Sequence, residues 1–243
     1  VSKDMDRRGY DLRLNFVWDQ RSPRAIDLAN SAPGVEQASM WYSHAASVLR
    51  SGQVARDAGS ASNLVGIPIN EEMYRPTMLS GRWLKPEDGN AVVISKELAI
   101  DNNIDVGDTI TLDLDILGSD EWQVVGIFQV VFRKVGDPDP IYAPLSAVYR
   151  STKKFQYGTD LLVRTTSSDP ESVLAVKETL QDLYEDRRMR VSVFGTNTTV
   201  EDKEYAIFQF STVTSMLLML ALIVAIVGGL GLMGSLSISV VER

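Results

Sequence analysis

Alternating apolar and polar positions predict two β-α-β units, one towards each end of the charged part of the chain. In the first unit, residues 11–18 alternate as a half-buried strand does. Ser22-Pro23 then begins a helix, with Ser22 as the N-cap and Pro23 in the first turn, and Pro33-Gly34 ends it. A second β run follows over residues 35–49.

The second unit repeats this order. Residues 161–164 are a predicted strand, and Ser168 and Glu171 have the spacing of a capping box at a helix start. Apolar residues then recur on one helix face, at Val173, Val176, Leu180 and Leu183. Residues 190–194 are the predicted returning strand. Two such units favour a ferredoxin-like layer of helices on one sheet, although chance repetition would give the same pattern.

The residues between the two units have the pattern of a small β-rich subdomain. The predicted elements are a strand at 91–95, a helix at 96–103, a turn at 106–108, a strand with one polar face at 110–116, a turn at 118–120 and a strand at 122–128, with flexible or turn-rich connections at 52–63 and 133–140. The fold class is therefore α+β. A split ferredoxin-like domain occupies residues 10–70 and 150–197, and the subdomain is inserted at 71–149.

The C-terminal part of the chain predicts a transmembrane helix. Between Tyr205 and Val241 there is no Asp, Glu, Lys or Arg. About 20 apolar residues suffice to cross the ~30 Å hydrocarbon core of a membrane, and we place the span at residues 207–238. We assign residues 1–9 to a juxtamembrane segment. Because both ends of the sequence are abrupt, we expect it to be a fragment of a longer membrane protein.

Small residues recur within this apolar segment at helical spacing. Ala221, Ala225 and Gly229 form one row, and Gly231 and Ser235 belong to another. Membrane helices pack closely through small side chains, so these residues predict contact with other helices. The alternative is that Gly and Ser are simply common in membrane helices.

Composition and charge exclude several classes of function. The chain of 243 residues has a formal net charge of −8 and no cysteine. Without a basic face it lacks the features of a nucleic-acid-binding protein. Without cysteine it cannot use thiol catalysis, disulfides or thiolate zinc sites.

The chain lacks the common motifs of catalysis, and we predict that this part of the protein is not an enzyme. No phosphate-binding G-x-x-x-x-G-K-[ST] loop occurs, and His44 is the single histidine, which cannot form a two-histidine metal site. Asp113 and Asp115 have the spacing of one strand face and could hold a cation, but a solvated face is the favoured interpretation. We therefore predict no catalytic, cofactor-binding or metal-binding residue.

Four segments, in this order, resemble the periplasmic core domain of MacB/FtsX-type ABC transporter permeases: Gly81–Leu84, Ala91–Ser95, Val106–Asp108 and Trp122–Ile127. The resemblance implies structural roles for the motif residues Gly81, Arg82, Gly107, Asp108 and Gly126. The tail from Gly228 to Arg243 resembles the second transmembrane helix of that family.

The resemblance also implies an architecture and a function. The split domain corresponds to a porter-like part and the insertion to a sabre-like part. The chain would be part of a permease subunit that couples ATP-driven movement to substrate export or extraction, with no cofactor. The implied partners are a cytoplasmic ABC ATPase, a second permease copy and an accessory periplasmic or extracellular protein. The implied location is the inner cell membrane, with residues before about 205 extracytoplasmic and the C-terminus cytoplasmic.

Two other functions remain open from the sequence alone. One is a single-span extracellular binding module that transports nothing. The other is an FtsX-like regulator of a cell-wall hydrolase, which would use the same mechanics on a different external partner.

Overall fold

The computed structural model describes residues 8–49, 59–70, 72–130 and 136–241, and side chains as far as residue 228. In chain order the elements are β1 Leu12–Arg21, α1 Ser22–Asn30, β2 Val35–Leu49, β3 Ser60–Ile67, β4 Thr77–Gly81, β5 Ala91–Ser95, α2 Lys96–Asn102, β6 Thr109–Asp113, a 3-10 turn Asp115–Leu117, β7 Ser119–Gln129, β8 Asp139–Pro144, α3 Leu145–Thr152, β9 Tyr157–Thr165, α4 Pro170–Glu185, β10 Asn197–Thr198 and α5 Thr199–Val241.

The two β-α-β units interleave in one antiparallel sheet, which we call the split sheet. Its strand order is β10-β1-β9-β2. Helix α1 connects β1 to β2 and helix α4 connects β9 to β10, so each unit contributes alternate strands. The prediction of an α+β fold with a split ferredoxin-like layer is confirmed.

The core of this layer follows from the predicted apolar faces. Val173 and Leu180 of α4 are fully buried in one cluster with Leu12 and Leu14 of β1. Burying such side chains contributes about 1.5–3 kcal/mol each. Tyr184 closes the cluster, and its hydroxyl donates to the carbonyl oxygen of Ala25 at 2.7 Å.

Both predicted helix caps are displaced by one residue. Arg21 is the N-cap of α1, while Ser22 lies inside the helix with its hydroxyl 3.4 Å from that of Tyr149. In α4 the N-cap is Asp169 and not Ser168, because the Asp169 carboxylate accepts from the Ser172 backbone N–H at 3.3 Å. In each case proline fits the first helical turn.

The predicted strand at residues 190–194 is wrong. Only an isolated bridge between Phe16 and Val191 forms there, and the edge of the sheet is β10. The Ser192 hydroxyl donates to the Phe194 carbonyl oxygen and accepts from the Phe194 N–H, which bends the chain out of the sheet. Gly195 then adopts a φ of +84°.

The second half of β2 closes into a ring with β3, β8, β5, β7 and β6, which we call the barrel, and β4 pairs with β7 beside this ring. Strand β2 pairs with β3, β3 with β8, β8 with β5, β5 with β7, and β7 with β6. Strand β6 returns to β2, with Ser47 opposite Asp113. A second apolar cluster includes Trp122, Leu64 and Ile94, all of them fully buried.

Several predicted boundaries in this region differ from the structure, and the strand predicted at 122–128 begins at Ser119, within the turn predicted at 118–120. The strand predicted at 110–116 ends at Asp113, because Asp115 has a φ of +58° and begins a 3-10 turn. The connection predicted at 52–63 contains the start of β3 at Ser60, and the one predicted at 133–140 contains the start of β8 at Asp139. The parts of both connections at 52–58 and 133–135 lie outside the described residues.

The predicted division of residues 10–70 and 150–197 from 71–149 stays a prediction, and the strand pairing leads us to propose a refinement. Strand β2 pairs with β9 through Trp41 and with β3 from Tyr42 onward. Strand β3 belongs to the ring, although it precedes residue 71. We propose that the insertion begins within β2.

From residue 201 onward, helix α5 belongs to a second unit of the chain. It has 43 residues, which at 1.5 Å per residue is roughly 64 Å, about twice the hydrocarbon thickness of a membrane. Residues 199–228 contain a window with a mean hydropathy of 2.4, none of it buried. This helix is long and apolar enough to be a candidate membrane span.

Candidate functional site

The motif residues Gly81, Arg82 and Gly126 meet where β4 pairs with β7. Gly81 lies opposite Gly126 in this antiparallel pair. A Cβ on Gly126 would collide with the carbonyl oxygen of Arg82, and a Cβ on Gly81 would collide with that of Val125. Gly81 also has a φ of +69°, which favours glycine. The two backbones thus approach more closely than side chains would permit.

A β-bulge explains this close approach. In the pairing of β5 with β7, Val92 lies opposite Val124 but Val93 lies opposite Gly126, so Val125 is the extra residue. The carbonyl oxygen of Val125 accepts from the Arg82 backbone N–H at 3.0 Å. The bulge therefore attaches the end of β4 to the barrel.

The Arg82 side chain holds the turn that follows β4. Its Nη1 and Nη2 donate to the two carboxylate oxygens of Asp88, each at 2.7 Å. The same carboxylate accepts from the Lys85 backbone N–H at 2.8 Å. The hydrogen bond from Arg82 lowers the pKa of Asp88. This bidentate pair keeps the turn before β5 in one geometry.

Gly107 and Asp108 dock a second turn on the same part of β7. The Gly107 N–H donates to the carbonyl oxygen of Val124 at 2.8 Å. The Val124 N–H donates in turn to the carbonyl oxygen of Asp108, also at 2.8 Å. The Asp108 carboxylate accepts from the Asp105 N–H at 2.8 Å. The five motif residues thus surround the bulge of β7, and their polar groups are used in holding the barrel.

A buried carboxylate connects three strands of the split sheet. Asp160 of β9 accepts from Arg13 and Asn15 of β1 and from Ser43 of β2, at 2.6–2.9 Å. Burial alone would raise the pKa of Asp160, but the Arg13 charge and the hydrogen bonds from Ser43 and Asn15 outweigh that effect and lower it. The network lies beside the point where β2 passes from one sheet to the other.

Aromatic rings fill the space beside this network. The ring of Tyr142 lies 5.3–6.3 Å from those of Trp41, Tyr74, Trp83 and Phe128. Such edge-on and tilted pairs are favourable beyond their buried area. Burial raises the pKa of Tyr142 to about 12. The cluster joins residues of the split sheet to residues of the barrel.

The residues considered for chemistry lie apart from one another. His44 is on β2, with Nδ1 2.7 Å from the carbonyl oxygen of Ala45. Asp113 ends β6 and Asp115 lies in the following 3-10 turn, so the pair does not share a strand face. Among the described residues, no group of three His, Cys, Asp or Glu side chains could hold a metal ion.

The predicted helix-packing residues all lie in α5. Ala221 and Ala225 are exposed on this helix. Gly229, Gly231 and Ser235 belong to the same helix, but their side-chain environment lies outside the described residues. Contact of these rows with a neighbouring helix stays a prediction.

Sequence reasoning missed the Asp160 network and the aromatic cluster. The partners Arg13 and Asp160 are 147 positions apart, and no spacing rule relates them. One signal was present, since Asp160 immediately precedes the apolar run Leu161–Val163 of a central strand. If the central strand extends through Asp160, its carboxylate is buried, and a buried charge needs a partner of opposite charge or hydrogen-bond donors.

Comparisons with known proteins agree with this fold. The sequence pattern of the MacB-like periplasmic core domain matches residues 6–183. No curated protein sequence matches the chain. The periplasmic region of MacB from Actinobacillus actinomycetemcomitans is similar in structure, with a TM-score of 0.54 and 13% identity over 84% of this chain and 96% of that one.

The extracellular domain of the noncanonic ABC-type transporter YknZ from Gram-positive bacteria is also similar. Its TM-score is 0.50 and its identity 14%, over 75% of this chain and 98% of that one. At these identities the two structures show a shared fold. The match over residues 6–183, together with a candidate membrane span in α5, supports an extracytoplasmic domain of a membrane protein. The chain belongs to the family of MacB-like periplasmic core domains.

Proposed function

We propose that this chain is the extracytoplasmic domain and the following transmembrane helix of an ABC transporter permease subunit, and that it passes ATP-driven movement to the outside of the membrane. Family membership supports the transporter context. The observation that carries the mechanical part is the junction of sheet and helix. Strand β10 ends at Thr198 and helix α5 begins at Thr199, with no linker residue between them.

The strand pairing offers a route for force within the extracytoplasmic domain. Thr198 lies opposite Leu12 and Asn197 opposite Arg13, so β10 is attached to β1. Arg13 in turn is bonded to Asp160 of β9, and Ser43 of β2 is bonded to the same carboxylate. A displacement of the helix start would reach β2, and through it the barrel, by hydrogen bonds and not by flexible loops.

The partners follow from this role. A cytoplasmic ATPase supplies the movement, a second permease copy faces this one, and an accessory periplasmic or extracellular protein receives the substrate. The chain then has residues before about 205 outside the cytoplasm and its C-terminus inside. We propose no catalytic residue in this region. Neither a single-span binding module nor a hydrolase regulator is favoured by a specific observation.

The test is an insertion that makes the junction flexible. Four residues, Gly-Ser-Gly-Ser, are inserted between Thr198 and Thr199 in the full-length permease with its ATPase. We expect the complex to assemble and hydrolyse ATP while transport is lost. The matched control places the same insertion after Gly136, whose surroundings are open. Transport that survives the Thr198 insertion would refute the mechanical proposal.

A further inference from the structure

The connection between β4 and β5 contains the single Asp-Gly sequence of the chain, Asp88-Gly89, and the chain has no Asn-Gly sequence. We propose that Asp88-Gly89 is a latent site of isoaspartate formation and that Arg82 keeps it from rearranging. Arg82 would then control the covalent state of this turn as well as its shape. The inference concerns the chemical lifetime of the domain and does not depend on the proposed transport role.

The rearrangement needs water as its only co-reactant. The Gly89 backbone nitrogen attacks Cγ of Asp88, a new N–Cγ bond forms, and one oxygen of the protonated carboxyl leaves as water together with the N–H proton. Water then cleaves one of two bonds of the cyclic imide. Cleavage of the new bond restores aspartate, whereas cleavage of the original peptide bond leaves the chain connected through Cγ, as isoaspartate. Nothing is oxidised or reduced, and the mass of the product is unchanged.

Gly89 provides an unhindered attacking nitrogen. The residue is exposed, and nothing lies within 4 Å of the place that a Cβ would take. A side chain at this position would crowd the nitrogen, and its restricted backbone would hinder closure of the ring, whereas glycine does neither. The nitrogen is therefore free to react, so protection has to come from the carboxylate.

Both oxygens of the Asp88 carboxylate are bound by groups that precede it in the chain. Oδ2 accepts from Nη1 of Arg82 at 2.7 Å and from the Lys85 backbone N–H at 2.8 Å. Oδ1 accepts from Nη2 of Arg82 at 2.7 Å. The Asp88 side chain is only 7% exposed. Ring closure removes one of these oxygens as water, so it requires that the bidentate pair first opens.

Arg82 also opposes the reaction through its charge, and it is itself held in place. The carboxyl has to be protonated before an oxygen can leave as water, and the hydrogen bond from Arg82 lowers the pKa of Asp88. The Arg82 backbone N–H donates to the carbonyl oxygen of Val125 at 3.0 Å. Its Nη1 donates to the carbonyl oxygen of Trp83, also at 3.0 Å. The guanidinium therefore stays beside the carboxylate while the barrel is folded.

Rearrangement would detach the turn from β4. In isoaspartate the Cβ methylene becomes part of the backbone, and the free carboxylate is attached directly to Cα. A carboxylate on this shorter stem does not match the position that the fork of Arg82 now holds. We expect the bidentate pair to be lost, and with it the fixed geometry of the turn before β5.

The test follows isoaspartate at residue 88 in the full chain in lipid nanodiscs, during weeks at physiological temperature and neutral pH. Electron-transfer fragmentation of peptides distinguishes aspartate from isoaspartate. Conversion at Asp88 leaves the mass unchanged, whereas deamidation of the neighbouring Asn90 raises it. The chain unfolded in guanidinium chloride gives the unrestrained rate. We expect the folded chain to react at least tenfold more slowly than the unfolded chain, and Arg82→Gln to remove most of this difference.

Three further variants separate the bidentate pair from a general loss of stability. Arg82→Lys keeps the charge without the fork and should react at an intermediate rate. Asp160→Asn alters the split sheet and leaves the pair intact, so it should react as slowly as the unchanged chain. Arg82→Gln/Gly89→Ala should return to a slow rate, because alanine hinders the attack and its Cβ meets nothing within 4 Å. Thermal unfolding of each variant checks that it is folded at the incubation temperature.

Four results would overturn the proposal. These are equal rates in the folded and the unfolded chain, a rate in both Arg82 variants equal to that of the unchanged chain, a rise in Asp160→Asn as large as that in Arg82→Gln, and a rate in Arg82→Gln that Gly89→Ala does not reduce. The measurement involves neither an ATPase nor transport, so none of these results would affect the mechanical proposal.

Discussion

The guanidinium of Arg13 donates to Oδ1 of Asp160 through Nε at 2.9 Å and through Nη2 at 2.7 Å. The Asp160 side chain is only 2% exposed, whereas that of Arg13 is 37% exposed. The pair therefore connects the interior of the split sheet to its surface. Ser43, bonded to the second carboxylate oxygen, adds β2 to the connection.

The substitution Asp160→Asn should destabilise the domain. It removes the charge from a buried acceptor while its donors remain, and hydrogen bonds to charged groups contribute about 1.5–3 kcal/mol. We expect a loss of ~2–3 kcal/mol in the free energy of unfolding at neutral pH. Urea unfolding of the full chain measures it, and Asp27→Asn on the exposed side of α1 is the control.

The same substitution should change the dependence of stability on pH. Because the pKa of Asp160 is lowered in the folded state, its contribution is present above the unfolded pKa of about 3.9 and is lost as the pH falls below that value. The Asp160→Asn variant should lose less stability than the unchanged chain between neutral pH and pH ~3. An unchanged acid profile would contradict this account.

Gly126→Ala should destabilise the barrel. Its Cβ would collide with the carbonyl oxygen of Arg82 and would lie 2.6 Å from Cε of Met78. Overpacking of this kind costs about 1–3 kcal/mol. Gly89→Ala is the control, because nothing lies within 4 Å of that position and we expect a change below ~0.5 kcal/mol. Thermal unfolding of both variants tests the difference, and equal midpoints would mean that the bulge adjusts freely.

Tyr142→Phe should reduce the loss of stability in alkali. Burial raises the pKa of Tyr142 to about 12. The folded state thus favours the neutral phenol, and this contribution is present below the unfolded pKa of about 10 and lost as the pH rises from 10 towards 12. Tyrosinate absorbance should show that Tyr142→Phe lacks a group that titrates near pH 12 in the unchanged chain, while the still later titration of the buried Tyr184 remains. A titration that is identical in the variant and in the unchanged chain would contradict the assignment.

Bulk added to the small-residue row of α5 should weaken assembly. If Ala221, Ala225 and Gly229 contact a neighbouring helix, Ala225→Leu or Gly229→Leu should weaken association by about 1–2 kcal/mol. Met219→Leu and Ile226→Leu are controls, because lipid accepts these side chains equally well. The measurements are assembly and stimulated ATP hydrolysis of the full-length permease with its ATPase. Equal behaviour of all four would mean that the row reflects ordinary composition of membrane helices.

The extracytoplasmic domain should fold without the apolar helix. Residues 1–200 form one compact unit, separate from residues 201–243. A chain that ends at Asp202 should give the far-ultraviolet circular dichroism of a mixed α+β protein and a cooperative unfolding transition at neutral pH. A spectrum of disordered chain would show that α5 is needed for folding.

The sequence pattern correctly predicted elements whose structure depends on residues close together in the chain. Val173, Val176 and Leu180 were assigned to one helix face by their spacing, and all three are buried in the core. By contrast, residues 190–194 alternate like a strand, but the local hydrogen bonds of Ser192 outweigh this preference. Propensity does not reveal such competition.

The closure of the barrel and the buried network could not be predicted from the sequence alone. Closure depends on β6 meeting β2 at Ser47 and Asp113, two strands that are remote in the chain. The Arg13–Asp160 pair likewise exists only after β1 and β9 have become neighbours. The motif glycines were found by resemblance, whereas the bulge at Val125 that requires them became apparent only in three dimensions.

Strand β2 has a consequence for the cooperativity of folding. Its fifteen residues supply backbone partners to β9 over one half and to β3 and β6 over the other. Unfolding either the split sheet or the barrel would leave half of this strand without backbone partners. The other half would then lose the support of a continuous strand. The split sheet and the barrel are therefore expected to share one unfolding transition, so that a substitution that destabilises the barrel also lowers the melting temperature of the split sheet.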